Sequence, residues 1–175
     1  MKKLHLPQFR QTYNYDCGAT ALQSILAYYG IEEREDRIIK LAKTTKDGTN
    51  IENIIKVIKK YGLKASSKKM TIEEVKKYID KKIPVILVLQ AWAHKKKVDW
   101  ENDWKDGHYT VAIGYAKNKI IFEDPAHFNN TYLTYKELEK RWHDMDTEGK
   151  KYINHGIAVF GKKPKFKPDE IIHMD

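Results

Sequence analysis

The chain has 175 residues, of which 41% are hydrophobic and 33% charged, with a formal net charge of +9 and a single cysteine. That length suits one compact domain with its own core, and no run approaches the roughly 20 apolar residues of a membrane span. One cysteine excludes an internal disulfide and a multi-cysteine zinc cage.

The N-terminal residues include His5, Pro7, Gln8, Arg10 and Gln11, which make no apolar signal-peptide core, so a soluble, cytoplasmic protein is expected. The positive charge is spread in pairs such as Lys59-Lys60 and Lys76-Lys77. These read as solvated helix faces. No aromatic residues interleave with them, and nucleic acid is not an expected partner.

In chain order, Asp16 reads as the N-cap of a helix over Cys17–Tyr29, where Leu22, Ile25, Leu26 and Tyr29 share one face. Gly30 sits where a left-handed stop residue belongs. A second helix is expected over Glu35–Ala42. After a turn at Lys46-Asp47-Gly48, with Thr49 or Asn50 as cap, a third runs over Ile51–Tyr61. Thr71 and Glu74 form a capping box for a fourth over Ile72–Asp80.

The apolar run from Pro84 to Leu89 reads as a strand buried on both faces. Two more strands follow, His108–Tyr115 and Lys119–Glu123, joined by a turn at Ala116-Lys117-Asn118. A short helix over Lys136–Trp142 and a strand over Tyr152–Phe160 complete the pattern. Helices followed by an antiparallel sheet predict an α+β domain over residues 1–161, with 162–175 as a charged, extended tail. The polar segment from Ala93 to Gly107, carrying Trp100 and Trp104, is long for a connection inside a domain. It reads either as a binding loop or as a segment stapled down by its tryptophans.

Cys17 falls in the first turn of a strongly signalled helix, where free N–H groups and the helix dipole favour a thiolate. A buried thiol kept for packing is the competing reading. His108 opens an apolar strand, and pairing through the turn near Lys117 puts Asp124 on the same sheet face. A carboxylate there can accept from one imidazole nitrogen and leave the other for the thiol. Taken singly, His108 could be a core-edge histidine and Asp124 an Asp-Pro turn starter.

The stretch QTYNYDCGATALQSILAYYG, Gln11 to Gly30, resembles the active-site signature of the C39 peptidases, the bacteriocin-processing cysteine peptidases. The resemblance continues at Asp47 to Ile51, Tyr61 to Leu63, GHYTVAIGY (Gly107 to Tyr115) and FEDPA (Phe122 to Ala126). The segment from Tyr132 to Trp142 is similar to the free-standing C39-like branch.

This resemblance implies a papain-like fold and a thiol protease, with Cys17 as nucleophile, His108 as base and Asp124 as its orienting carboxylate. It also implies an oxyanion hole made by Gln11 with the Cys17 backbone N–H. Asp16, Gly18, Trp92, Trp104 and Tyr109 are expected at the substrate cleft. A peptide or protein substrate is expected, leader peptides among them, and no cofactor or metal. Double-glycine specificity does not follow from the resemblance, because this sequence carries no exporter segments.

Three other readings compete. An acyltransferase or amide hydrolase could use the same site, and a peptide-binding module could use the same fold. A metal centre could draw on His94, His108, Asp124 and His127, although no pair has a recognised ligand spacing.

Overall fold

The computed structural model describes residues 1–174. Its elements run β1 (Lys2–Lys3), α1 (Cys17–Tyr28), α2 (Glu35–Leu41), α3 (Ile51–Lys60), β2 (Lys64–Lys69), α4 (Ile72–Asp80), β3 (Val85–Gln90) and β4 (Gly107–Ala116). Then come β5 (Lys119–Glu123), β6 (Thr131–Thr134), α5 (Tyr135–Arg141), β7 (His143–Met145), β8 (Lys151–Ile153) and β9 (His155–Phe160). Among these residues no helix is long and apolar enough to cross a membrane.

Helices α1 to α3 form where the apolar period demanded them. Leu22, Ile25, Leu26, Ile54 and Ile58 are fully enclosed, and each helix gains its stability from that buried face. The Thr71–Glu74 capping box of α4 is complete in both directions. Asn50 caps α3 by position only, without a side-chain bond.

One antiparallel sheet, ordered β2-β9-β3-β4-β5-β6, carries the domain. Every residue of β3 is buried, as its uninterrupted apolar run requires for a central strand. β1 pairs with the far end of β4, Lys2 opposite Tyr115 and Lys3 opposite Gly114, on the edge that β3 leaves free beyond Ala112.

Three features depart from the sequence reading. β2, Lys-Ala-Ser-Ser-Lys-Lys, is an edge strand paired only with β9, and its lysines are the charges that discourage further edge pairing. The expected strand over Tyr152–Phe160 is two strands, because Asn154 takes a left-handed conformation (φ 51°) and separates β8 from β9. The β4–β5 turn has two residues rather than three, since Ala116 pairs with Lys119. The described residues after Gly161 contain no helix or strand. It is exposed, yet its Lys165 and Phe166 N–H groups both donate to the Tyr28 carbonyl at the end of α1.

Candidate active site

Cys17 is the first residue of α1 and is only 7% exposed. Asp16 stands at the N-cap position without making a side-chain cap. Its buried carboxylate accepts instead from the Thr12 N–H (3.2 Å) and the Tyr13 N–H (3.1 Å), folding the preceding loop against the helix. Burial pushes the Asp16 carboxyl up, partly offset by those N–H groups.

Gly18 is packed from the other side. A Cβ there would lie 3.1 Å from the Tyr109 ring and 3.2 Å from Thr49. The space beside Gly18 is therefore filled by Tyr109 and Thr49. Asp16 and Gly18, both expected at the cleft, belong to neither cavity wall described below.

His108 lies on β4 and its Nε2 donates to Asp124 Oδ1 at 2.7 Å, so Nδ1 is the nitrogen left for Cys17. Burial alone would push the imidazole down. Hydrogen bonds to Asp124 and to Cys17, with the negative charge of both, reverse that and raise it to about 10. Asp124 is saturated with donors: His108 and the Ala126 N–H (3.0 Å) on Oδ1, Thr131 Oγ1 (2.9 Å) and Trp92 Nε1 (3.2 Å) on Oδ2. Burial raises its carboxyl, but the bonds from His108, Ala126 and Thr131 outweigh this and hold it low.

A β-bulge places Asp124 on this face. At the turn Ala116 pairs with Lys119 and Gly114 with Ile121, but further along Ala112 pairs with Phe122 and Val111 with Glu123. Ile113 is the extra residue. It shifts the register by one and turns Asp124 towards the side of the sheet that carries His108.

Trp92 was expected to touch substrate; what the structure shows is the bond to Asp124 and a ring stacked on His127, 6.0 Å between centroids. It remains half exposed and has φ 59°, a left-handed conformation that a bulky residue adopts only under constraint. Gln11 is tied to the turn after Asp124, its N–H donating to the Pro125 carbonyl at 2.9 Å. Its Nε2 donates to the Tyr13 carbonyl at 2.6 Å, while its Oε1 is buried without a partner.

A cleft of about 520 Å³ opens beside the sulfur, lined by Cys17, Tyr109, Trp104, Asp144 and Tyr152 among others. Tyr109 presents its N–H to Cys17 Sγ at 3.5 Å and anchors its hydroxyl on the Thr49 carbonyl. Trp104 lies against His143, whose Nε2 donates to the Asp103 carbonyl. The long loop is thus packed against the body through Trp104, and Trp104 and Lys105 also line the cleft.

Sequence reasoning missed Asp144. It accepts from Gln90 Nε2 at 2.9 Å and lies so close to Gly107 that a Cβ there would sit 2.5 Å from its Oδ1. Burial pushes Asp144 up to about 6. Its place beside the site comes from strand pairing and leaves no local signal.

No group of three or more His, Cys, Asp or Glu side chains among the described residues is arranged to hold a metal ion. His127, one of the ligands considered above, accepts from the Asn129 N–H instead.

Residues 5–146 match the model of the peptidase C39 family. The chain belongs to that family. It is 30% identical over 171 residues to the transport/processing ATP-binding protein ComA of Streptococcus pneumoniae, covering 95% of this chain and 20% of that protein. It likewise spans 18% of the pediocin PA-1 transport/processing protein PedD of Pediococcus acidilactici, at 26% identity and with 81% of this chain covered. A C39-like peptidase structure from Bacillus anthracis superposes with a TM-score of 0.70 at 18% identity, over 94% of this chain and all of that one. A double-glycine-motif protease from an AMS/PCAT transporter, solved with a leader peptide, gives 0.65 at 22% identity, over 94% and 95% of the two chains. The α+β fold is therefore the papain-like arrangement of the C39 peptidases.

Proposed function

We propose that this C39 peptidase hydrolyses a peptide bond through Cys17, with His108 as base and then acid and Asp124 orienting the imidazole. The carrying observation is the buried line of three groups. His108 Nε2 is held by Asp124 at 2.7 Å, that carboxylate is fixed by three further donors, and the buried sulfur of Cys17 is near enough to raise the imidazole.

The thiolate attacks the carbonyl carbon, forming a C–S bond as the π pair moves to oxygen. Collapse breaks the C–N bond, and His108 Nδ1 hands its proton to the departing amine. A water then gives a proton to His108 and attacks the thioester, which breaks the C–S bond, releases the acid and restores the thiolate–imidazolium pair. In the first-turn position of α1 the Cys17 N–H has no intrahelical acceptor, which suits it to the oxyanion. Gln11 is the second donor, its amide exchanging the Tyr13 carbonyl for the oxyanion when substrate arrives.

Tyr109, Trp104 and Trp92 border the substrate path; Asp16 and Gly18 act through Cys17. The substrate is a peptide, and the leader peptide bound to a structural neighbour supports a leader as its class. A single unpaired thiol suits a reducing, cytoplasmic setting.

The test is cysteine-dependent cleavage of a peptide library that includes double-glycine sequences, read by mass spectrometry. Cleavage by wild type and none by Cys17→Ala is expected. Gln11→Ala should lower turnover about 100-fold while leaving iodoacetamide alkylation of Cys17 unchanged. Cleavage that survives Cys17→Ala, or alkylation that ignores His108→Ala, overturns the reading.

A further inference from the structure

A second cavity, of about 360 Å³, is lined by His108, Asp124 and Trp92 and also by Glu137 and Arg141 of α5. Its carboxylates are already supplied with donors. Asp124 has its four, and Glu137 Oε2 accepts from the Thr134 N–H (2.8 Å) and Oγ1 (2.7 Å) in the capping box of α5.

Arg141 differs. Its Nε is buried with no hydrogen-bond partner, and no carboxylate among the described residues pairs with its guanidinium. The central carbon of that guanidinium lies over the Trp100 ring, 3.9 Å from the centroid. Burial lowers its pKa, with the field of Glu137 opposing, yet an arginine stays charged in any such setting. A half-buried cation that keeps one buried donor unused is costly to keep. A planar guanidinium fork lining a cavity is also the group that recognises a carboxylate.

We propose that Arg141 forms a carboxylate-binding subsite on the leaving-group side of the cleft. The inference rests on the proposed function: His108 protonates the departing amine, while the acyl part stays on Cys17. The cavity that shares His108 but not Cys17 therefore faces the amine-bearing part of the substrate. The ligand is a carboxylate within a residue or two of the cleaved bond, either an acidic side chain or the free C-terminus of a short peptide. Apolar wall from Leu89, Phe122 and Leu133 receives its carbon stem. His108 and Arg141 balance Asp124 and Glu137 in charge, so binding depends on the fork of Arg141 rather than on a general positive field.

The experiment uses N-chloroacetyl probes, in which the thiolate displaces chloride and no hydrolysis is needed. N-chloroacetyl-leucine is compared with its amide, and N-chloroacetyl-glutamic α-amide with the glutamine analogue, by rate of Cys17 alkylation in intact-mass spectra. At least one carboxylate probe should react about ten-fold faster than its neutral partner. The first pair reports a free C-terminus and the second an acidic side chain.

In Arg141→Gln the preference should fall below about two-fold while the iodoacetamide rate stays unchanged. Arg141→Lys, which keeps the charge and loses the fork, should retain only about a three-fold preference, and it decides the matter if the glutamine variant melts early. No carboxylate preference in wild type, or a preference that both variants keep in full, overturns the subsite alone. A wild-type thiol that ignores iodoacetamide sinks the catalytic reading and the subsite together.

Discussion

Replacing Glu123 by glutamine should stabilise the protein, and should do so only above mildly acidic pH. Glu123 closes β5 opposite Val111, is 1% exposed, and keeps one carboxylate oxygen without a hydrogen-bond partner. Burial, opposed by Ser24 and the Phe9 N–H, pushes its carboxyl from the ordinary glutamate range up to about 8. The folded state therefore holds a proton that the unfolded chain has released above its own value of 4.5. The neutral carboxyl's contribution is complete below 4.5 and is lost as pH rises towards 8. At about 1.4 kcal/mol per pH unit the ceiling is about 5 kcal/mol, of which about 3 kcal/mol falls between pH 5 and pH 8. Urea unfolding of wild type and Glu123→Gln, followed by tryptophan fluorescence at the two pH values, isolates this group because the other titrations cancel. The variant should gain about 3 kcal/mol relative to wild type on going from about pH 5 to about pH 8. An equal difference at both pH values would refute the argument that this carboxyl is held neutral.

Other outcomes follow from the same site. The His108 imidazolium, favoured by Asp124 and Cys17 against burial, should persist past neutrality and titrate towards about 10, with its stabilisation complete below 6.5 and lost over that interval. Side-chain ¹⁵N resonances should show this, and Cys17→Ala should move the midpoint down; an ordinary midpoint in wild type would count against the pairing. Trp92→Phe removes one donor from Asp124 and should slow iodoacetamide alkylation of Cys17 about five-fold without changing the circular dichroism spectrum. An unchanged rate would mean that the indole does not help to orient the carboxylate. Gly107→Ala drives a Cβ into the Asp144 carboxylate and should cost about 2 kcal/mol in urea unfolding. Adding Asp144→Ala should recover most of that loss, and a double variant no better than the single would show another reason for the glycine.

What the sequence disclosed was mostly what local patterning encodes. The apolar period of α1, the Thr71–Glu74 box and the continuous run of β3 are short-range signals, and each produced its element. β2 and β6 carried no such signal, because an edge strand with half-exposed faces needs no alternation. Cys17 and His108 could be singled out from their immediate neighbours, whereas Gln11 came from family resemblance alone. Arg141 and Asp144 were silent for a different reason. One depends on Trp100, about forty positions earlier, and the other on Gln90 and Gly107, so their surroundings exist only after the sheet is assembled.

Asp124 shows how little separates a site from its absence. The expectation that it shares a face with His108 assumed three turn residues and an uninterrupted ladder. The turn has two, and the missing residue reappears in β4 as the bulge at Ile113. The parity at the site end is therefore the expected one, reached by another route. Without the bulge, Glu123 would fall opposite Ala112 on the His108 side, and Asp124 would turn towards Ser24 and α1. Two adjacent acids would exchange fates: one is now ionised and saturated with donors, the other neutral and short of them. The bulge is held from outside, since the Leu4 N–H donates to the Ile113 carbonyl at 2.7 Å and β1 occupies the adjoining edge of β4. An N-terminal arm far from the chemistry thus helps to decide which carboxylate the histidine meets. Truncation before Leu6 should accordingly shift the His108 titration towards its ordinary range and slow Cys17 alkylation in a chain that still shows its helical circular dichroism. A truncated protein with an unaltered His108 midpoint would show that β4 keeps its bulge unaided.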